Sequence, residues 1–181
     1  MFGGSFNPPH VAHAMVSAWL LWTDAVDAVW LVPVFRHAFE DIHDKTLAPY
    51  DERVRWCQAM ARDVGPSVQV STIERDLPVP SYSIDTLQAL AALHPEHRFR
   101  MVIGTDVIPQ LPQWHNWEQI EAEFDPSVVG RAGFTSPQGV QSPDFPQISS
   151  TDIRKRLQEK RPVGHLLTRS VVPLVSAAFF K

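Results

Sequence analysis

Short segments rich in β-branched residues alternate with longer amphipathic segments, and this alternation limits the fold more than any other feature of the chain. Period-two and period-3.6 patterns predict strands and helices respectively. Strands are predicted over residues 28–34, 68–73, 99–103 and 127–129, and helices over residues 50–64, 83–93, 117–124, 150–159 and 171–180. This order predicts an α/β fold with a mainly parallel sheet, helices on both faces and ligands beyond the carboxyl ends of the strands.

Length and composition narrow the class of protein further. The 181 residues, 44% hydrophobic and 20% charged, fit one globular domain over residues 1–181. A net charge of −4 without a basic run argues against a general nucleic-acid binder. The single cysteine, Cys57, excludes an internal disulfide and favours a reducing, cytoplasmic location. The apolar run over residues 14–22 is too short to cross a bilayer, so no membrane partner is expected, and the oligomeric state stays open.

The chain opens with a glycine-rich segment that leads into two histidines, GGSFNPPHVAH over residues 3–13. The two glycines predict a flexible turn with exposed N–H groups, and two prolines suit the entry to a helix. His10 and His13 then share one face of the first helical turn, where the helix N-terminus favours anions. The segment is interpreted as a polyphosphate cradle, an ordinary turn with two surface histidines, or a pair of metal ligands.

A second polar segment, ISSTDIR, covers residues 148–154. Ser149 or Ser150 is a good N-cap, and Asp152 suits a first helical turn, so a well-capped helix is one interpretation. The other is a phosphate site, because a guanidinium one turn into the helix, that of Arg154, can bind phosphate oxygens in a bidentate way.

Three segments between these two also carry polar or aromatic side chains that suit a ligand. Gly104 fits a tight turn at a strand end, and Asp106 either accepts from two ribose hydroxyls or caps a helix. Trp114, in the proline-held segment LPQWH, is either a core residue or a stacking platform. Ser83, in PSYSIDT over residues 80–86, begins a helix whose N-terminus favours a carboxylate, although a plain N-cap would give the same pattern.

These segments together resemble the nucleotidylyltransferase superfamily. GGSFNPPHVAH resembles its G-x-F-x-P-x-H-x-G-H signature, and ISST-x-I-R resembles its C-terminal phosphate box. Asn7 and the P-x-W and S-Y-S-x-D-T segments resemble the nicotinate mononucleotide adenylyltransferase branch. Ala12 departs from the usual glycine, which we expect to be tolerated. Only Met1 and Phe2 precede the glycines where the superfamily has a full strand, so a truncated or nearly absent first strand is expected.

The resemblance implies a Rossmann-like fold and adenylyl transfer from ATP, with Mg²⁺, to nicotinate mononucleotide, which yields deamido-NAD and pyrophosphate in NAD biosynthesis. It assigns catalysis to His10, His13 and Arg154, and it implies no metal site on the protein. It assigns ATP binding to Gly3, Gly4, Ser5, Phe6, Gly104, Asp106, Ser149, Ser150 and Thr151. It assigns the nicotinate substrate to Asn7, Ser83, Trp114 and His115, with the start of the helix at Ser83 receiving the carboxylate.

Alternative acceptors are nicotinamide mononucleotide and phosphopantetheine. Alternative classes of protein are a non-catalytic nucleotide-binding module and a two-histidine metal hydrolase. Residues 131–147 are interpreted as a structureless stretch, either a lid or disordered. Weaker predictions concern single side chains. They place Arg36, His37 and Lys45 near phosphates, Arg131 near adenine, Arg53 on a helix surface or in an ion pair, and Trp117 in the core.

Overall fold

Five short strands alternate with helices in the computed structural model, which describes residues 1–23, 25–36 and 47–179. The strands are β1 (Phe2–Gly4), β2 (Val29–Pro33), β3 (Val68–Val70), β4 (Val102–Gly104) and β5 (Ser127–Val129). The α-helices are α1 (Val11–Trp22), α2 (Tyr50–Val64), α3 (Ser83–Leu93), α4 (Trp117–Phe124), α5 (Ser150–Gln158) and α6 (Val171–Phe179). Two 3-10 helices cover Ile73–Asp76 and Ile108–Gln113. Among the described residues, no helix combines the length and apolar character needed to cross a bilayer.

All named strand pairs are parallel. β2 lies between β1 and β3, with Leu31 opposite Phe2 on one side and Val70 on the other. β4 pairs with β5, and the N–H of Val102 donates to the carbonyl oxygen of Met1 at 2.9 Å, which places β4 beside β1. The spatial order is therefore β3-β2-β1-β4-β5. In such a doubly wound sheet the crevice between β1 and β4 is the switch point where ligands bind.

The sheet is covered on both faces, as the sequence predicted. Leu31 packs in one core cluster with Trp56 of α2 and Ile153 of α5. The next residue, Val32, points to the other face and packs with Leu87 of α3 and Ile120 of α4. This alternation is the period-two pattern of a strand that is buried on both sides.

The first strand is short but present, which corrects the expectation that it is nearly absent. Gly3 and Gly4 were predicted as a turn, yet they lie in β1, opposite Val32 and Pro33. The N–H of Val34 also donates to the carbonyl oxygen of Gly4 at 2.9 Å. A parallel ladder uses only backbone groups, so residues without side chains can form it. The turn itself follows the strand and leads into α1.

Three other boundaries differ from the predictions. The strand predicted over residues 68–73 ends at Val70, because the chain enters a 3-10 helix at Ile73. The strand predicted over residues 99–103 is shifted to Val102–Gly104. Residues 131–147 are not structureless, since Arg131 and Phe145 form a bridge and the N–H of Ala132 donates to Phe145 at 2.8 Å. Phe145 is 7% exposed, so a buried side chain anchors this segment to the core.

Candidate active site

A cavity of about 690 Å³ opens at the carboxyl ends of β1 and β4. Every residue that the sequence assigned to catalysis, ATP binding or substrate binding lines its wall. These residues come from five parts of the chain: residues 3–13, 83, 104–106, 114–115 and 149–154. The fold therefore brings together side chains that are far apart in sequence, at the place where an α/β sheet of this order binds ligands.

His10 and His13 form a stacked pair at the start of α1. His10 is the N-cap residue, and its backbone N–H donates to Nδ1 of His13 at 3.1 Å. The two rings lie 3.7 Å apart between centroids with an interplanar angle of 24°. Because Nδ1 of His13 accepts this hydrogen bond, a neutral His13 carries its proton on Nε2.

The histidine pair is uncharged at neutral pH. Burial lowers the pKa of His10 to about 3, and the positive charge of Arg131 acts in the same direction. Burial, followed by the charges of His10 and Arg131, holds the pKa of His13 well below its ordinary range. The two imidazoles can therefore donate hydrogen bonds to a phosphate, but fixed positive charge at the site must come from arginines.

The ring of Phe6 packs against the histidine pair. Its side chain is 2% exposed, and its ring meets that of His13 edge to face at 5.0 Å. Its backbone has a φ of 45°, a left-handed conformation that is uncommon for a residue with a side chain. A β-carbon added at Gly4 would lie 3.4 Å from the Phe6 ring, so the glycine suits this close packing. Ala12, the departure from the family glycine, is buried in the first turn of α1.

The start of α5 is bound to the backbone of the first motif. Oγ of Ser150 donates to the carbonyl oxygen of Pro8 at 2.8 Å, and Nη1 of Arg154 donates to that of Asn7 at 2.8 Å. Nη2 of Arg154 lies 3.3 Å from Oγ1 of Thr151. Ser149 is the N-cap of α5 and accepts from the N–H of Asp152 at 3.1 Å. The well-capped helix that the sequence predicted is thus present, and its first turn lines the cavity.

Asn7 and Arg53 stabilise the turn that follows β1 through hydrogen bonds to backbone groups. Both are 1% exposed. Oδ1 of Asn7 accepts from the N–H of Ala48 at 3.1 Å, so this oxygen is already engaged within the protein. Arg53 donates through Nε to the carbonyl oxygen of Ala48 at 3.0 Å and through Nη1 to that of Ser5 at 2.9 Å.

The prediction that Arg53 lies on a helix surface is wrong. Trp56, Cys57 and Met60 follow Arg53 at the spacing of one helix face, and all three are fully buried. That spacing was the sequence signal that Arg53 points inward. A buried guanidinium is stable there because backbone carbonyl oxygens accept its hydrogen bonds.

Gly104 and Asp106 lie where β4 ends. A β-carbon added at Gly104 would collide with Oδ1 of Asp106, so a larger residue here would require the Asp106 carboxylate to move. Oδ2 of Asp106 forms an ion pair with Nη1 of Arg131 at 2.5 Å, while Nη2 of Arg131 lies 3.4 Å from the carbonyl oxygen of Ile148. Among the described residues, Arg131 and Arg154 are the arginines or lysines that line the cavity. Sequence reasoning undervalued Arg131, although it follows the end of β5 directly.

The opposite end of the cavity is built around the start of α3. Tyr82 is the N-cap residue and Ser83 is the first residue of the helix, so Ser83 is not its cap. Within the described chain no side chain caps this helix. The ring of Tyr82 stacks on that of His115 at 4.4 Å and 30°. Trp114 lines the cavity and meets Trp117 edge to face at 6.2 Å, and Trp117 packs against the core as predicted.

The remaining predicted residues lie elsewhere. The backbone of Arg36 binds Ser81, with the N–H of Ser81 donating to the carbonyl oxygen of Arg36 at 2.8 Å, and Arg36 does not line the cavity. His37 and Lys45 lie outside the described residues. Within the described ranges, no group of three histidine, cysteine, aspartate or glutamate side chains is arranged to hold a metal ion.

A doubly wound sheet with a cavity at its switch point is typical of α/β proteins that bind nucleotides. Residues 1–156 match the model of the family described as Cytidylyltransferase-like. The probable nicotinate-nucleotide adenylyltransferase of Anaeromyxobacter sp. (strain K) is 41% identical over 178 residues, which are 97% of this chain and 91% of that protein. The protein of the same name from Myxococcus xanthus (strain DK1622) is 36% identical over 157 residues, 87% of this chain and 80% of that protein.

A solved structure has the same fold. The Plasmodium falciparum nicotinic acid mononucleotide adenylyltransferase complexed with NaAD aligns with a TM-score of 0.75 and 17% identity, covering 98% of this chain and 93% of that one. This chain belongs to the cytidylyltransferase-like family, in its nicotinate-nucleotide adenylyltransferase branch. The predicted Rossmann-like fold and family are thereby confirmed.

Proposed function

We propose that the protein transfers the adenylyl group of ATP to nicotinate mononucleotide, which yields deamido-NAD and pyrophosphate in NAD biosynthesis. The observation that carries this proposal is the meeting of the first motif with the start of α5 at the switch point. There Arg154 and Ser150 bind the backbone of Asn7 and Pro8. The curated relatives, which match nearly the whole chain, bear the name of this activity.

The reaction needs no protein nucleophile. An oxygen of the 5′-phosphate of nicotinate mononucleotide attacks the α-phosphorus of ATP in line and forms the new P–O bond. The bond from the α-phosphorus to the bridging oxygen breaks, and pyrophosphate leaves with that electron pair. The protein contributes alignment and stabilisation of the charge that develops on the phosphoryl oxygens.

The phosphate end of the cavity, residues 3–13 and 149–154, would supply that stabilisation. Nε2–H of His13 is free to donate because Nδ1 is engaged with the backbone of His10. Arg154 adds a permanent charge, and its guanidinium is oriented by Asn7 and Thr151 before any ligand arrives. Donors fixed in advance in this way stabilise a transition state without the cost of reorganisation.

The nicotinate end of the cavity, residues 81–86 and 113–115, would supply substrate choice. The first N–H groups of α3 have no side-chain cap among the described residues, so they are open to a ligand carboxylate. A helix N-terminus favours a carboxylate over a neutral amide, which argues for the nicotinate over the nicotinamide substrate. Trp114 in the adjoining wall offers a ring face for stacking.

Magnesium enters this proposal with the substrate, as Mg·ATP. It would neutralise charge on the phosphate oxygens and be held mainly by those oxygens and water, as is usual for this ion. The described residues provide no three-ligand cluster for it, whereas the two cavity arginines complement the phosphates. A cytoplasmic location remains a prediction from the single buried Cys57.

The test is pyrophosphate release from Mg·ATP with nicotinate mononucleotide, nicotinamide mononucleotide or phosphopantetheine in parallel, with the product identified by mass. We expect release mainly with the nicotinate substrate and a product of the mass of deamido-NAD. Release mainly with another acceptor would reassign the substrate. Tight ATP binding without turnover of any acceptor would indicate a non-catalytic nucleotide-binding module.

A further inference from the structure

We propose that Glu74 is a positioning residue that fixes the start of α3 and thereby sets the preference for a nicotinate over a nicotinamide ring. This inference rests on the proposed function. Glu74 belongs to the 3-10 helix Ile73–Asp76, outside every motif that the sequence singled out. It is 6% exposed and lines the same cavity as Ser83 and Trp114.

The carboxyl group of Glu74 joins three segments. Oε2 accepts from the backbone N–H of Phe35 at 2.9 Å, just beyond the end of β2. Oε1 lies 3.1 Å from Oγ1 of Thr86, in the first turn of α3. The hydroxyl of Ser81 also bonds to Glu74. Glu74 therefore lies at the junction of β2 and the helix whose N-terminus faces the cavity.

The hydrogen bonds of Thr86 bear on the charge of this group. Oγ1 of Thr86 is 3.1 Å from Glu74 and also 3.1 Å from the carbonyl oxygen of Tyr82, but a hydroxyl has only one proton to donate. If that proton goes to Tyr82, Glu74 must itself be protonated to bond Thr86. Burial raises the pKa of Glu74, against hydrogen bonds from Phe35, Ser81 and Thr86 and the charge of Arg53. Protonation of Glu74, which the raised pKa favours, would remove the repulsion between this carboxyl and a ligand carboxylate.

The same junction controls the aromatic wall. The N–H of Ser81 donates to the carbonyl oxygen of Arg36 at 2.8 Å, which ties the segment before α3 to the segment after β2. The next residue, Tyr82, stacks on His115 at 4.4 Å, and His115 follows Trp114. Movement of the α3 start would thus displace both the N–H groups and the ring faces that would hold the pyridine.

The experiment compares E74A, E74Q and the near-isosteric T86V in the full chain, using kcat and KM for both mononucleotides and for ATP. We expect E74A and T86V to raise the KM for nicotinate mononucleotide about tenfold and to lower the nicotinate-to-nicotinamide ratio of kcat/KM by a similar factor. The KM for ATP should change less than about twofold, because the phosphate end is held by other contacts.

E74Q should behave nearly as the wild type. Its amide oxygen can accept from Phe35 and its NH₂ group can donate to Thr86, without a charge. The matched control is D76A, because Asp76 is an exposed acidic residue of the same 3-10 helix. This substitution should leave the nicotinate-to-nicotinamide ratio of kcat/KM and the KM for ATP unchanged.

Three results would overturn the inference: an unchanged substrate ratio in E74A or T86V, a parallel rise of the ATP and nicotinate KM values, or loss of selectivity in E74Q as large as in E74A. If E74A does not fold, T86V decides. A wild type that does not use nicotinate mononucleotide overturns the proposed function and this inference with it. If the wild type uses nicotinate mononucleotide but neither E74A nor T86V loses the preference for it, the inference alone is overturned.

Discussion

At the phosphate end of the cavity, side chains of α5 bind carbonyl oxygens of the first motif, whereas at the nicotinate end one buried carboxyl, that of Glu74, joins side chains and backbone of three segments. Ser150 and Arg154 both reach backbone oxygens of residues 7 and 8. At the other end, Glu74 bonds Thr86 and Tyr82 stacks on His115. The phosphate end is thus held by direct bonds between two motifs, whereas the nicotinate end depends on a residue that lies outside every motif.

The largest expected effect tests the phosphate end. H13A should lower kcat by about 10²–10⁴, because it removes a donor fixed at the transition state. The KM values for both mononucleotides should change far less. Steady-state pyrophosphate release measures this, with H94A as the control, since His94 is a half-exposed histidine far from the cavity on the C-terminal side of α3. A near-wild-type kcat would refute the catalytic role of His13.

Acid should weaken the folded protein through the same histidine pair. The pKa of His10 is about 3 in the fold, against an ordinary value of 6.5. Between these values the unfolded chain binds more protons than the folded chain, so the free energy of unfolding falls as the pH is lowered. The stabilisation is fully present above pH 6.5.

Urea unfolding at several pH values between 7 and about 5 would measure this slope. In H10N the slope should be shallower, whatever the absolute stability of that variant. An equal slope in H10N and wild type would contradict the neutral, buried state of His10.

An intermediate effect, on the KM for ATP, is expected from substitution of Arg131, which lies beside Asp106 at the end of β4. R131A should raise the KM for ATP about tenfold, because it removes a cation and leaves the Asp106 carboxylate uncompensated beside a polyanion. The KM for nicotinate mononucleotide should stay within about twofold. R161A is the control, since Arg161 pairs with Glu159 on the surface. Equal changes in both KM values would remove the distinction between the two ends.

The smallest effect is expected on the free energy of unfolding, from a contact remote from both ends of the cavity. Oδ2 and Oδ1 of Asp63 accept from the backbone N–H and the hydroxyl of Ser170 at 2.8 and 2.6 Å, at the start of α6. Burial acts to raise the pKa of Asp63, but the bonds from Ser170 outweigh it and lower the pKa. Because Asp63 is exposed, D63A should cost less than about 1 kcal/mol of unfolding free energy, and kcat and both KM values should not change. A kinetic effect would show that α6 communicates with the cavity.

Local patterns predicted the helices well. α2 and α3 have the predicted bounds, 50–64 and 83–93, because apolar spacing and first-turn acidic residues lie within each segment. β1 was underestimated because a strand of three residues owes its stability to its neighbours β2 and β4, which are distant in sequence. Strand propensity is dominated by such context, so no local pattern reports it.

The motifs located the cavity, but they did not show how its residues are supported. Each motif names residues of one segment, whereas the Asp106–Arg131 pair spans 25 positions and the Phe35–Glu74 hydrogen bond spans 39. Glu74 stands in an unremarkable stretch, and only its burial among polar partners distinguishes it. The burial of Arg53 could have been predicted from the sequence, because this residue keeps the spacing of the buried face of α2.

The contacts of Ser150 and Arg154 with Pro8 and Asn7 have a consequence for biosynthesis. They join residues 142 and 147 positions apart, so they form only after the segment that contains α5 has left the ribosome. Until then the cavity lacks Arg154, one of its two arginines, although β1 and β2 can already pair. Contacts of such long sequence separation also form late in folding. A growing chain can therefore pair its strands before the cavity is complete, and we expect chains that lack α5 to bind ATP more weakly than the full chain.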